Sequence, residues 1–490
     1  MAGFLDLLAE ARNSAANLSD LLRGKGLRLG VTGLSRAGKT VFITALIQHL
    51  TRAGAGGKST LPVFRVVAEG RLTSARLEPQ PDDHVARFAY EDHLSALTGL
   101  DRHWPQSTRQ ISELRLQLQF ERQEGWRRGP AQFTIDIVDY PGEWLLDLPL
   151  LTKTYAQWSR ETLEASSAAA RAPFAAEWRG FVAGLDPAGS EDEGQARRAA
   201  ELFTAYLRDA RSDRYALSTL PPGRFLMPGD LEGSPALTFA PLPLPEGMEI
   251  AEGTLAGMME RRYEAYKSFV VRPFFRDHFA RLDRQIVLVD ALSALNSGPA
   301  ALRDLEMALA EVLAAFHIGR SNALANLFRP KIDRILVAAT KADHLHHSSH
   351  DRLEAILRRL TARAIARSEG VGADVDVIAL AAVRATREAA VKHGRETLDA
   401  IIGVPLKGES VDGEIFDGES EAAIFPGDLP ADPRLAFRGD ALALPDEEAD
   451  YRFVRFRPPV ATLGPDGTPL PLPQIRLDRA CQFLFGDRLK

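Results

Sequence analysis

Residues 27–40 read LRLGVTGLSRAGKT. An apolar run passes straight into G-x-x-x-x-G-K-T, from Gly33 to Thr40, and that spacing predicts a phosphate-binding loop between a strand and a helix. Gly33 and Gly38 permit backbone angles and close approaches that a Cβ blocks, so the successive amides of Ser35, Arg36, Ala37, Gly38 and Lys39 can ring phosphate oxygens. The Lys39 ammonium then meets the β and γ phosphates. Thr40 and Val41 open the helix VFITALIQHL, whose N-terminal dipole favours an anion, and the Thr40 hydroxyl is placed to hold Mg2+. An ordinary glycine-rich turn between strand and helix is the plain alternative, and the flanking strand and helix patterns weigh against it.

Downstream, QFTIDIVDYPG (132–142) is an alternating strand that ends on Asp139 and the sequence Asp-x-x-Gly. Beside a phosphate loop, an Asp at a strand's carboxyl end holds a metal-bound water, and the Gly142 amide can sense the γ-phosphate. A third strand, KIDRILVAATKAD (331–343), ends in Thr340, Lys341, Ala342 and Asp343. A carboxylate at Asp343 accepts from the paired N1–H and exocyclic amine of guanine, whereas adenine lacks that donor pair. Lys341 would lay its methylene stem over the base. The competing reading makes Asp343 the N-cap of the following helix. A fourth strand, DVDVIALAAVRAT (374–386), ends in Ala381, Ala382 and Val383, small residues whose amides suit the guanine O6.

The remaining ligand expected of a Mg2+ shell is a Thr ahead of the strand that pairs with QFTIDIVD. HWPQSTRQISELRLQLQF (103–120) offers Ser107 and Thr108 before an alternating strand, and Thr108 is the choice; a polar turn after Trp104 and Pro105 is the alternative.

The chain has 490 residues, 45% hydrophobic content and a net charge of −6, enough for a large core and more than one domain. Basic residues are scattered rather than gathered, which argues against nucleic acid as a partner. The single cysteine, Cys481, excludes an intrachain disulfide and a cysteine metal cluster and fits a cytoplasmic protein. No apolar run reaches the ~18 to 20 residues that span a bilayer, and no signal peptide is evident. Residues 1–26 form an expected amphipathic helix with Phe4, Leu5, Leu8, Leu18, Leu21 and Leu22 at helical spacing. It packs on the protein's own surface or makes a peripheral contact with a membrane or partner.

Lys39 and Asp343 stand about 300 positions apart, far more than a ~150-residue nucleotide domain requires. The expected organisation is a nucleotide domain over 27–144 and 284–403, interrupted at about 51–104 and by a helical insertion over 145–283, with a β-containing appendage and closing helix over 404–490. In the first interruption LPVFRVV (61–67) reads as a strand and DDHVARFAYEDHLSAL (82–97) as a helix. In the second, PALTFAPLPLPEGM (235–248) reads as an extended surface connection or a docking site. RQIVLVDAL (284–292) is a buried strand whose Asp290 caps the next turn or serves in catalysis. YRFVRFRPP (451–459) looks strand-like, IRLDRACQFLFGDRLK (475–490) helical, and the histidines of HLHHSSH (344–350) solvent-facing.

TGLSRAGKTVFITALIQHL, HWPQSTRQISELRLQLQF, VDYPGEWLLDLPLL, DRQIVLVDALSALNSG, ATKADHL, ALAAVRAT and the closing QIRLDRACQFLFGDRL together resemble the YcjX-like family of bacterial stress-associated proteins. The resemblance implies an α/β fold: a Ras-like P-loop sheet with helices on both faces and added helical and C-terminal parts. It also implies GTP and GDP rather than ATP as ligands and a regulatory role linked to stress; Mg2+ as cofactor follows from the motif residues, and an unidentified protein effector or activator and a homodimer are further expectations. Ras-type switches carry Gln after Asp-x-x-Gly, and Glu143 stands there. A carboxylate orients or deprotonates water but donates nothing to the γ-phosphate, so slow intrinsic turnover is expected. Arg36 and Arg109 are candidates to supply positive charge in cis, or they salt-bridge at the surface. A non-hydrolysing scaffold and an ATP-using P-loop enzyme are the alternatives.

Overall fold

The computed structural model describes residues 26–490 apart from segments at 34–36, 57–59, 107–109, 124–127, 213–216, 219–220, 316–331, 370–372, 395, 439–450 and 466. The amphipathic segment 1–25 and the predicted site residues Ser35, Arg36, Thr108 and Arg109 lie outside the described residues.

The main sheet contains β1 (Leu27–Gly33), β2 (Leu72–Glu78), β3 (Ala86–Arg87), β4 (Ser112–Arg122), β5 (Gly129–Asp139), β6 (Arg284–Val289), β7 (Arg334–Ala339) and β8 (Asp374–Ala379). Their order is β2-β4-β5-β1-β6-β7-β8, with β3 beside β4. From β5 through β1 and β6 to β8 every pairing is parallel, while β4 runs antiparallel to β5 in the hairpin its alternation predicts. Parallel strands covered on both faces read as nearly continuous apolar runs, and β6 is buried along its whole length. β4 instead buries Leu114, Leu116, Leu118 and Phe120 on one face and leaves Arg115, Gln117 and Gln119 partly exposed.

Alternation divides the core into two layers. Ile286, Leu288, Leu336 and Ile378 point toward the phosphate-loop helix Lys39–Gly54 and the closing helix Leu477–Phe485. Val287, Val289, Val337 and Val377 point toward the helices Pro299–Ala315 and His350–Glu369, a layer continuous with the core of the 145–283 insertion. The insertion's own center is aromatic: Trp158 stacks on Tyr263 at 5.1 Å between ring centroids, and Trp178 stacks on Tyr206 at 5.6 Å.

Three local expectations are corrected. LPVFRVV is not a strand; it turns and forms the short helix Arg65–Ala68, and the edge strand is β2 just after it. The closing helix decides this, because Asp478 accepts from the Val63 amide and Gln482 from the Arg65 amide, fixing the segment as a turn. Within DDHVARFAYEDHLSAL only Tyr90–Thr98 is helical, since Ala86 and Arg87 pair with β4 instead. PALTFAPLPLPEGM opens with a 3-10 turn at Pro235–Leu237 and runs without regular structure only after it, and it is not a surface connection: Phe239, Ala240 and Leu242 are fully buried, and the Tyr155 hydroxyl donates to the Ala240 carbonyl at 2.8 Å.

A second sheet joins β9 (Arg387–His393), β10 (Glu396–Gly403) and β13 (Ala422–Ile424), and β11 (Ser410–Val411) pairs with β12 (Glu414–Ile415). This small sheet therefore draws strands from both sides of residue 403. YRFVRFRPP contributes only an isolated bridge, Phe456 to Pro405, although Val454 and Phe456 are buried against Ile401 and Ile424. The prolines that follow remove the donors a longer ladder needs.

Candidate functional site

The carboxyl ends of β1, β5, β6, β7 and β8 all open on one edge of the sheet, so loops far apart in sequence meet there. A cleft of about 360 Å3 is lined by Gly33, Ala37, Gly38, Lys39, Thr40, Val41, Glu143, Thr340, Lys341, Asp343, Ala382 and Val383. Trp104, Pro105 and Gln106, just before 107–109, line it too.

Gly38 precedes the helix Lys39–Gly54 at φ 78°, ψ 30°, a left-handed conformation that a side chain resists. Lys39 Nζ donates to the Tyr140 carbonyl at 2.8 Å and lies 3.7 Å from Asp139 Oδ1, so the loop lysine and the strand-end carboxylate share one spot. Gly142 sits so close to the loop that a Cβ there would come within 2.2 Å of the Gly33 carbonyl oxygen. Thr40 and Asp139 are both buried. Their hydroxyl and carboxylate form an all-oxygen donor set, which fits Mg2+.

On the other side of the cleft, Lys341 holds a left-handed backbone, φ 61° and ψ 31°, a strain of the kind that gathers at functional sites. Its ammonium donates to Asp290 Oδ2. Asp290 also accepts from the Ser293 amide at 3.1 Å, so it caps the helix Ala291–Asn296 and fixes the lysine. Asp343 does not cap the helix His350–Glu369. Its Oδ2 accepts from the Ala385 amide at 2.8 Å, and its carbonyl accepts from the Thr386 hydroxyl. These bonds tie the loops after β7 and β8 together. The second loop is pinned from behind by the C-terminal segment: Ala381 and Ile475 exchange backbone hydrogen bonds at 3.0 and 2.8 Å, and the Arg384 amide donates to Pro473. The Ala381 amide is thereby engaged, and Ala382 and Val383 line the cleft.

The expectation that all the HLHHSSH histidines face solvent is corrected. His344 and His350 are buried, and burial lowers both imidazole pKa values. Two walls account for this: His344 packs edge-on against Phe456, and His350 Nε2 bonds the Ala342 carbonyl at 2.8 Å. His346 and His347 do reach the surface and converge on Glu388. That carboxylate also holds Arg384 at 3.1 Å, and Asp399 and Ser348 engage His346, so ion pairs and hydrogen bonds explain the grouping.

Two residues at this edge have no sequence motif. Arg211, just after the helix Glu193–Ala210, extends its guanidinium from the insertion into the cleft and donates through Nη2 to Glu143 Oε1. Asp147, five residues beyond Gly142, accepts from the Gly223 amide at 2.7 Å and the Tyr266 hydroxyl at 2.6 Å. Burial pushes its pKa up to about 7. The polar residue in the otherwise apolar WLLDLPLL was the available signal for Asp147; for Arg211 there was none.

The match to the YcjX-like family (DUF463) runs from residue 27 to 489. The chain belongs to the YcjX-like family. It is 38% identical over 474 residues to the Ras-like GTPase YcjX of Escherichia coli, covering 95% of this chain and 96% of that one. It is 33% identical over 507 residues to the Ras-like GTPase YcjX of Shewanella oneidensis, covering 100% of both. The mixed α/β sheet with its mostly parallel center is that of a Ras-like P-loop GTPase, and the added helices and C-terminal strands are this YcjX-like chain's elaborations. Among the described residues no helix is long and apolar enough to cross a membrane.

Proposed function

We propose that this YcjX-like protein binds guanine nucleotide with Mg2+ in the cleft, hydrolyses GTP slowly, and uses the two nucleotide states as a regulatory switch in a bacterial stress response. The observation that carries the reading is the convergence of Lys39, Asp139, Glu143 and Asp343 on one sheet edge, with β1 and β7 delivering the phosphate side and the base side. Amides from Ser35 to Lys39 hold the phosphates. Lys39 leaves the Tyr140 carbonyl for the β and γ oxygens. Asp343 accepts both guanine donors, which adenine cannot satisfy, while Thr340, Lys341, Ala382 and Val383 enclose the base.

Thr40 and Asp139 are the residues that would hold Mg2+, with Thr108 as a further oxygen ligand, and the ion supplies charge neutralisation on the phosphates. Glu143 orients the attacking water as an acceptor, and the lack of a donor at this position underlies the slow turnover. Gly142, packed on Gly33, reports the γ-phosphate to the segment Gly142–Thr152 and so to the helical insertion. A protein partner that reads this insertion is the natural effector.

The test is single-turnover hydrolysis of GTP and of ATP by purified protein with Mg2+, beside Lys39→Ala. Turnover of GTP alone, lost in the variant, is expected. GTP binding without turnover points to a scaffold, and preferred turnover of ATP overturns the assignment of Asp343.

A further inference from the structure

γ-Phosphoryl transfer gathers charge on the phosphoryl oxygens, and a guanidinium aimed at them accelerates it by about 10^3 to 10^5. The helical insertion brings one to the cleft. The helix Glu193–Ala210 buries Ala199, Phe203, Tyr206 and Ala210 in the insertion core, so its C-terminal end is fixed. Arg211 follows immediately, its amide bonded to the Leu207 carbonyl at 3.2 Å. From there its guanidinium spans to Glu143, 68 positions earlier and directly after the γ-phosphate sensor Gly142. The two side chains are about one-fifth and one-twelfth exposed, so the pair is largely shielded from water yet opens on the cleft that Lys39 and Thr40 line. Glu143 is held from its other side as well, because the Gly223 backbone packs against its carbonyl.

We propose that Arg211 is a catalytic arginine supplied in cis by the helical insertion. It rests on Glu143 without GTP and moves to the γ-phosphate when GTP binds, releasing the Glu143 carboxylate to accept from water. This rests on the GTP-hydrolysis reading above. The water oxygen bonds to the γ-phosphorus, and the bond from that phosphorus to the β–γ bridging oxygen breaks. Its electron pair leaves with GDP, and the water proton passes to the inorganic phosphate. Arg211 forms no covalent bond; its planar fork contacts two oxygens at once, which a lysine cannot reproduce. One ion pair thus holds at rest the guanidinium whose charge the reaction requires.

The experiment compares full-length wild type, Arg211→Ala and Arg211→Lys by single-turnover GTP hydrolysis, GTP affinity, thermal melting and formation of a GDP–fluoroaluminate complex. Wild type is expected to form that complex without any partner protein. Both variants are expected to lose about 100-fold or more in rate and fail to form it, while binding GTP within about threefold of wild type. Melting and GTP affinity show that the variants are folded, and Arg211→Lys retains the charge and stem should the alanine form not fold. Turnover within about threefold of wild type in either folded variant overturns the assignment of Arg211 alone. Absence of GTP turnover in wild type overturns the hydrolysis reading and this inference with it.

Discussion

In the proposed reading the Asp343 carboxylate does two jobs that one substitution separates. Its Oδ2 already accepts from the Ala385 amide, a bond that an asparagine carbonyl oxygen retains, so Asp343→Asn preserves the loop. The amide cannot accept both guanine donors, and its NH2 instead suits the C2 carbonyl of xanthine. GTP affinity should fall by about 2 kcal/mol while xanthosine triphosphate gains, as measured by nucleotide competition. Unchanged GTP preference would show that the base is read elsewhere. The motif behind this proposal was legible in the sequence because Thr340 to Asp343 are contiguous. The left-handed Lys341 was not, since a lysine adopts that backbone only when its surroundings, here the Asp290 contact and the neighboring strands, enforce it.

The element proposed to respond to nucleotide is the segment Gly142–Thr152, and its apolar residues Trp144, Leu145, Leu146 and Leu148 are buried against the helical insertion. A segment this deeply packed cannot move alone. Gly223 makes the contact close: a Cβ there would fall 2.0 Å from the Glu143 carbonyl oxygen. Gly223→Ala should cost about 1–3 kcal/mol of stability and slow GTP turnover more than it weakens GTP binding, checked by urea melts and single-turnover rates. Asp147 anchors the same segment, and its protonation has a definite sign. In the fold its carboxyl keeps a proton up to about pH 7, because burial disfavors the charge, whereas the unfolded carboxyl loses it near the usual value of 3.8. The native state binds more protons between those values, so this group's contribution to stability is complete below about 4 and is lost as pH rises through about 7. Asp147→Asn removes the effect, and the stability of wild type relative to this variant should decline between pH 5 and 8 in denaturant titrations. A constant difference would mean that Asp147 is ionised throughout.

At the scale of the molecule, the chain's end completes the nucleotide domain. Arg284 on β6 is fully buried, with two bonds to Asp487 at 2.6 Å, two to Asp333 at 3.0 and 3.5 Å and one to the Leu484 carbonyl. The same terminal segment backs the loop at Ala381 and fixes the turn at Val63. Arg284 is buried but both carboxylates reach solvent, so its removal leaves no buried charge unpaired and costs about 1–3 kcal/mol in lost charged hydrogen bonds; Arg284→Ala should melt below wild type. Because Ile475 supports the base-side loop, it should also weaken GTP binding near physiological temperature while leaving it measurable in the cold. Melting unchanged from wild type would show that the closing helix is held by apolar contacts alone.

The sequence by itself determined the family, the Ras-like α/β sheet and the order of the loops along its edge. Each of those features rests on local chemistry: a glycine-rich turn that wraps an anion, an acidic residue at a strand end, an alternation of apolar side chains that sorts one face from the other. Only the tertiary structure decided that Arg211 faces Glu143, that Asp147 bonds Gly223 and Tyr266, and that LPVFRVV turns where the closing helix captures its amides. Those contacts join residues from 68 to more than 400 positions apart and follow no period. What sets them is how the insertion and the C-terminal segment pack on the sheet, a geometry that no local run of residues encodes.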